Sequence, residues 1–371
     1  MVTLPKSLLF PLQTLSGRGC VARLIPECLA FGRRGMLVHG RSLAKSGVLN
    51  RILTEAPDDQ TLCTWRYPGG EPTLDQLEDL LSAVRVHGAE WVCAVGGGSV
   101  LDVAKAAAGL LEAPLSAQAY HDGEPIEASR IPFVAVPTTA GTGSEATTVS
   151  VLTNSRENLK RSIRHPSFLA RTVILDSELL KGCPPAVIAG SGMDALTQAI
   201  EAFTSRHATW LSDVLALKAV EMIQASLPLV FEGGGEVGDA ADLLLEGSFL
   251  AGVALSNARL GVVHGLAHPL GVRYHLPHGV VCSVCLLPAL KFNRLAVGEK
   301  YAQLKSCLGG DPAERVSDLV NQLQIVSPFS GQAIVDREGI IRETLASGSA
   351  AANPRPVEAR DVDALLSEIF A

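Results

Sequence analysis

Hydrophobic and polar positions change their rhythm about halfway along this chain. In the first half, Gly35–His39, Trp91–Val95, Phe133–Val136 and Val173–Leu175 are short, almost unbroken apolar runs. Runs of that length predict strands buried on both faces of a parallel sheet. Between them, residues 74–87 and 100–112 place apolar side chains at helical spacing, which predicts alternating strands and helices. Over 146–164, β-branched residues alternate with polar ones, with Thr147, Val149 and Val151 in step, so an antiparallel extension is expected there. After Lys181-Gly182-Cys183-Pro184-Pro185 the pattern becomes helical. Residues 184–203, 208–228 and 238–257 are rich in Ala and Leu and poor in β-branched pairs, and Gly233-Gly234-Gly235 reads as a loop. The expectation is an α/β domain over 1–182 followed by an all-helical domain over 183–371.

Composition agrees with two folded domains. The 371 residues exceed what one hydrophobic core usually serves, and 47% apolar with 19% charged residues suits a globular chain. A formal charge of −7 argues against a nucleic-acid partner, and Arg33-Arg34 and Lys160-Arg161 are too small for a phosphate-backbone footprint. The eight cysteines are scattered and read as free thiols. The close pair, Cys282-x-x-Cys285, lies in an apolar run with no second pair, so a packing role is expected. Pro11 and Gln13 break the apolar stretch near the N-terminus, and no run approaches the ~18 apolar residues of a membrane span. A cytoplasmic protein without a membrane partner is expected.

Two loops carry candidate chemistry. Gly96-Gly97-Gly98-Ser99 follows an expected strand and opens an expected helix. Glycine lets backbone approach a pyrophosphate, and free amides at a helix start favour the anion. This is not the G-x-G-x-x-G fingerprint, but its strand–turn–helix context is what dinucleotide binding needs. Pro137-Thr138-Thr139-Ala140-Gly141-Thr142-Gly143-Ser144-Glu145 also follows a strand and combines hydroxyls with glycines. The bland reading, a tight turn and a solvated loop, is weakened because two such loops follow neighbouring strands.

Histidines are concentrated further on. Residues 264–278 hold His264, His268, His275 and His278, whereas an even spread of nine would put fewer than one in such a window. Helical spacing sets His264 and His268 on one face, and Asp194 lies in another helical stretch, so a site for Zn²⁺ or Fe²⁺ is expected.

Taken together, GGGSVLDVAKAAA, PTTAGTGSEATT, GMDALTQAIEAF and LGVVHGLAHPLGVRYHLPHG resemble the iron-containing (group III) alcohol dehydrogenase family. The likeness runs in order from the SGRG turn at 16–19 to Asn353-Pro354-Arg355. It implies the dehydroquinate synthase/glycerol dehydrogenase-like fold: a dinucleotide-binding α/β domain and an all-α metal and substrate domain. It also implies hydride transfer between NAD(P)(H) and an alcohol or aldehyde, with a metal ion polarising the substrate oxygen. By this resemblance Asp194, His264 and His278 bind the metal, and His268 lies beside substrate and nicotinamide as the candidate proton relay. Gly97, Gly98 and Ser99 match the pyrophosphate turn, and Thr138, Thr139, Thr147 and Lys160 match cofactor-contacting positions. Asp102 is expected to stabilise the helix start or contact the cofactor's polar end. His275 matches no ligand position and reads as local structure. A homodimer is expected.

Two departures from the family pattern matter. Where the family has a His four residues after the metal-binding Asp, this chain has Gln198, a poorer ligand that tilts the expected ion from iron to zinc. Where NAD-preferring members carry an Asp after the first strand, this chain has Gly40 followed by Arg41. Loss of that carboxylate, with Arg41 available to pair with a 2′-phosphate, favours NADP over NAD. The alternatives are a metal-free reductase of the maleylacetate reductase type, which Gln198 would suit, a dehydroquinate-synthase-like lyase, and a non-catalytic nucleotide binder.

Overall fold

The computed structural model describes residues 5, 7–57, 61–157, 159–235 and 238–371. The opening residues of the expected first domain and position 158 of the expected antiparallel extension lie outside them. The chain divides into two compact units. One holds Leu9–Thr139 with Ser144–Leu180, and the other gathers Lys181–Ala371 with the short stretch Ala140–Gly143.

In the first unit, β1 (Gln13–Ser16), β2 (Gly35–His39), β3 (Leu62–Arg66), β4 (Trp91–Gly96), β5 (Phe133–Pro137) and β8 (Thr172–Leu175) form a sheet. Its order is β1-β8-β5-β4-β2-β3, and every paired neighbour runs parallel. The remaining strands, β6 (Val149–Asn154) and β7 (Leu159–Arg164), make the antiparallel hairpin. The unbroken apolar runs become the strands whose every residue is buried, because helices cover parallel sheets on both faces.

The order in which strands are added to the sheet reverses between β2 and β4. From β2 the chain steps outward to the edge strand β3, and from β4 it steps the other way to β5. A crevice at the carboxyl ends of such a strand pair is where open α/β sheets bind nucleotides. The three helices of this unit that matter to that crevice are α1 (Arg41–Lys45), α2 (Leu74–His87) and α3 (Gly98–Leu110). A Thr73–Gln76 capping box starts α2 and Gly88, at φ 65°, ends it.

The second unit contains helices and no strand among the described residues. Here α4 (Pro185–Thr204), α5 (Trp210–Glu232), α6 (Asp239–Ala258), α7 (Val262–Tyr274) and α8 (His278–Asn293) build the core. One expectation needs correction. Helix α5 has a mean hydropathy of 1.6 over an 18-residue window and is long and apolar enough to cross a membrane. The sequence reading missed it because Asp213, Lys218 and Glu221 interrupt the run. In the structure α5 buries Ala216, Ala219, Val220, Ile223 and Leu227 and packs against α4 and α6, which accounts for its apolar face.

Candidate metal centre and cofactor cradle

Three helices of the second unit bring the candidate ligands together. Asp194, Gln198 and Glu201 recur at i, i+4 and i+7 on α4, so one buried helix face carries all three. Helix α7 carries His264 and His268, while α8 opens on His278 and presents Cys282 one turn later. Ligand atoms of Asp194, His264, His278 and Cys282 all lie within 4.8 Å of one another.

The separations suit a metal ion. His264 Nε2 stands 3.2 Å from Asp194 Oδ1, and His278 Nε2 stands 3.8 Å from the same oxygen. Cys282 Sγ is 3.5 Å from His278 Nε2 and 4.0 Å from His264 Nε2. A tetrahedral ion with bonds of ~2.0–2.3 Å spaces its ligand atoms by roughly 3.3–3.8 Å. Glu201 sets the histidine tautomer: its Oε2 lies 2.6 Å from His264 Nδ1. With the proton held on Nδ1, Nε2 turns its lone pair to the centre. Glu201 is itself fixed, its Oε1 accepting from Val263 N at 2.7 Å. The residues present therefore fit a divalent cation.

The electrostatics agree. Burial alone would push the Asp194 carboxyl up, but His278 and the hydrogen bonds from His264 and Cys282 hold it below the usual carboxylate range. Burial opposes charge on His264, yet Cys282, Asp194 and Glu201 raise its affinity for a proton well above the ordinary histidine value. Positive charge is wanted here, and a proton competes with a metal ion for it.

The other histidines take different places. The ring of His268 lies 5.3 Å from that of His278, and His268 is partly exposed. His275 ends α7 in the left-handed region, at φ 52° and ψ 42°. Gln198 is buried, and its Oε1 accepts no hydrogen bond among the described residues. Cys282, for which the sequence reading expected a packing role, is buried and also stands within this cluster. Cys285, next round the same helix, is buried as that reading expected. Sequence reasoning also passed over Glu201, although its i+7 spacing from Asp194 was the available signal.

The candidate cofactor cradle lies in the first unit. Gly97 is the N-cap of α3, and among the described residues no side-chain cap bond is made there, an arrangement suited to an anion. A Cβ on Gly96 would fall 2.5 Å from that of Val100, so only glycine lets α3 start this close to β4. One on Gly97 would meet Thr139 Oγ1 at 3.3 Å, which sets the second loop over the first. Thr138 N donates to Gly96 O at 3.0 Å. Ser99, like Gly98, remains partly exposed.

A polar knot supports this turn from below, and sequence reasoning missed its centre. The three N–H groups of the buried Lys105 ammonium are shared among Ser144 O (2.6 Å), Ser144 Oγ (2.9 Å), Thr147 Oγ1 (2.9 Å) and Val149 O (2.7 Å). Asp102 accepts from Ser144 Oγ at 2.5 Å and Val151 N at 3.0 Å, joining α3 to the hairpin. Gly40 caps α1, whose first residue, Arg41, is exposed and donates to the carbonyl of Pro68. Lys160 pairs with Glu71 at 2.5 Å.

Burial pushes the Glu145 carboxyl up from 4.5 to about 7, with Lys105 resisting, and pulls Lys105 itself down to about 8. Between 4.5 and about 7 the folded protein keeps a proton on Glu145 that the unfolded chain has lost, so stability falls as pH rises through that window. Glu145→Gln removes this dependence. Compared with the parent, the variant is expected to gain about 3 kcal/mol on going from pH 5 to pH 8 in denaturant titrations. An equal difference at both pH values would mean that Glu145 is charged throughout.

Comparison with known proteins agrees with both halves of this arrangement. The model of the family described as iron-containing alcohol dehydrogenase matches residues 11–177, and that of its C-terminal domain matches residues 188–370. Escherichia coli K12 "Probable alcohol dehydrogenase EutG" is 36% identical, the match covering 86% of this chain and 83% of that one. The "NADPH-dependent butanol dehydrogenase" of Clostridium saccharobutylicum is 33% identical over 78% of this chain and 76% of its own. Among solved structures, a 1,3-propanediol oxidoreductase superposes with a TM-score of 0.90 at 29% identity, covering 98% of this chain and 99% of that one. With both family models matched in order, and with the metal cluster and the cradle each inside its matched segment, the chain belongs to the iron-containing alcohol dehydrogenase family.

Proposed function

We propose that this oxidoreductase interconverts a short-chain aldehyde and its alcohol with NADP(H), at one divalent ion, zinc rather than iron, held by Asp194, His264 and His278. The observation that carries this reading is the buried cluster with its ligand atoms within 4.8 Å of one another. The names of the relatives, butanol dehydrogenase and 1,3-propanediol oxidoreductase among them, support the substrate class. Gly40 with the exposed Arg41 at the end of β2 supports NADPH, since no carboxylate at residue 40 opposes a 2′-phosphate.

A divalent ion bound there supplies Lewis acidity to the substrate oxygen, and the dinucleotide supplies or accepts the hydride. The rest falls to side chains. Asp194 provides the negative charge that holds the cation, and Glu201 keeps His264 in the tautomer that faces it. His268, outside the ligand cluster and partly exposed, carries the proton between substrate oxygen and solvent. Gly97, Gly98 and Ser99 present amides to the pyrophosphate, and Thr138 and Thr139 flank it. Asp102, Thr147 and Lys160 brace this wall, and Lys160 exchanges Glu71 for the cofactor on binding.

The same reading makes the enzyme a cytoplasmic homodimer. Eight cysteines present as thiols suit a reducing compartment. Phe10 and Leu12, 43% and 76% exposed, sit just before the edge strand β1, where a second copy can cover them. Light scattering on the eluting protein reads the mass directly.

Gln198 favours a metal-free reductase as the second reading, because it stands where the family has an imidazole. Elemental analysis of protein purified without added metal, with NADPH oxidation assayed before and after chelation, separates the two. One ion per chain is expected, with activity lost to chelator and restored by zinc. No bound ion and activity indifferent to chelator would establish the metal-free enzyme instead.

A further inference from the structure

Gln198, a departure from the family pattern, and Cys282 are joined by the geometry. The family pattern has four protein ligands, and Gln198 removes one of them from α4. On α8, one turn after the ligand His278, Cys282 sets a sulfur 3.5 Å from His278 Nε2 and 4.0 Å from His264 Nε2. It is fully buried among the ligands and not beside them. Gln198 Oε1, meanwhile, is buried without a hydrogen-bond partner among the described residues. It lies toward the backbone of Gly143, 3.4 Å from where a Cβ there would stand.

We infer that Cys282 is the fourth protein ligand of the metal, a thiolate on α8 that replaces the imidazole lost from α4. The inference rests on the metal-dependent reading above and adds to it the identity of the fourth donor. Ligand number is conserved, but the donor set changes from three nitrogens and an oxygen to two nitrogens, an oxygen and a sulfur. The thiol proton leaves to solvent as the sulfur–metal bond forms, and nothing is oxidised or reduced. A soft thiolate selects zinc over harder divalent ions, which gives the preference for zinc a cause in this chain's own residues.

A packing role does not account for the position. Cys285 shows what packing looks like on the same helix: its thiol is buried and belongs to no ligand cluster among the described residues. Cys282 instead completes a set of atoms at ligand spacing, on the three helices that carry the other donors.

Cobalt reports the sulfur without reference to turnover. Protein loaded with Co²⁺ is expected to show a near-ultraviolet sulfur-to-cobalt charge-transfer band, and zinc-loaded protein a sulfur scatterer at ~2.3 Å in X-ray absorption. In Cys282→Ser the band disappears and metal affinity falls about tenfold or more, while Cys285→Ser keeps both. Adding Gln198→His to Cys282→Ser should restore affinity without restoring the band. One bound cobalt per chain with no charge-transfer band in the parent protein would overturn the role of Cys282 and leave the metal site standing. Failure of the parent to bind zinc or cobalt would overturn the metal-dependent reading and this inference with it. Should Cys282→Ser not fold, the X-ray absorption of the parent alone decides.

Discussion

Asp194→Ala is expected to release the metal and lower turnover about a thousandfold, whereas His268→Ala should lower turnover and keep the metal. Asp194 is buried, and its Oδ1 faces both His264 and His278. Removing one partner from a buried charge cluster costs roughly 3–5 kcal/mol, which is a factor of ~10²–10⁴ in binding. The loss is concentrated at the ion because Glu201, the other carboxylate, is committed to His264 Nδ1 and Val263 N. His268 stands apart from the ligand cluster, so its removal leaves the donors in place. Loss of a positioned acid–base group typically costs ~10²–10⁴ in rate. Metal content and single-turnover NADPH oxidation measured on the same samples separate the two effects. An Asp194→Ala protein that retained one ion per chain would remove Asp194 from the ligand set. A His268→Ala protein with full turnover at neutral pH would end the relay assignment.

Legibility of the fold followed burial. Gly35–His39 and the helix Leu74–His87 were readable to the residue, because a short apolar run bounded by glycine favours a strand and strict helical spacing marks a helix. Strands β1 and β3 were not read. Both lie at sheet edges, where one side meets no partner strand, and QTLS and LCTWR accordingly carry too few buried positions to stand out. The site divided in the same way. Asp194, His264 and His278 were legible as candidate ligands through residue type and family pattern, but the place of Cys282 among them was not. Its meaning depends on a helix starting at His278, which turns a spacing of four into a shared face. Arg41 and Lys160 were legible as candidate cofactor contacts, but their partners Pro68 and Glu71 were not. Those lie 27 and 89 residues away in the chain, and only the folded sheet brings them near.

The second large effect concerns a contact of backbone on backbone. Gly279→Ala is expected to destabilise the helical unit and weaken metal binding, whereas Gly190→Ala should do neither. The two glycines face each other where α8 meets α4. A methyl on Gly279 would fall 2.5 Å from the carbonyl carbon of Gly190 and closer still to its oxygen, so the helices must separate. Overpacking of this kind costs typically ~1–3 kcal/mol, and here the obstacle is backbone that cannot rotate away. A methyl on Gly190 instead meets its nearest neighbours, Val280 Cγ2 and Val280 N, at 3.7 Å, which is ordinary contact. In a helix interior that exchange gains up to ~1 kcal/mol from backbone entropy. The consequence for the site follows from position: Gly279 adjoins His278, and Gly190 is one turn before Asp194 on α4. Separating the helices therefore pulls two ligands apart. Thermal unfolding of the metal-free protein, followed by zinc titration against a competing chelator, reads both effects. Equal behaviour of the two variants would show that α4 and α8 can part without moving the ligands, and that the close approach serves packing alone.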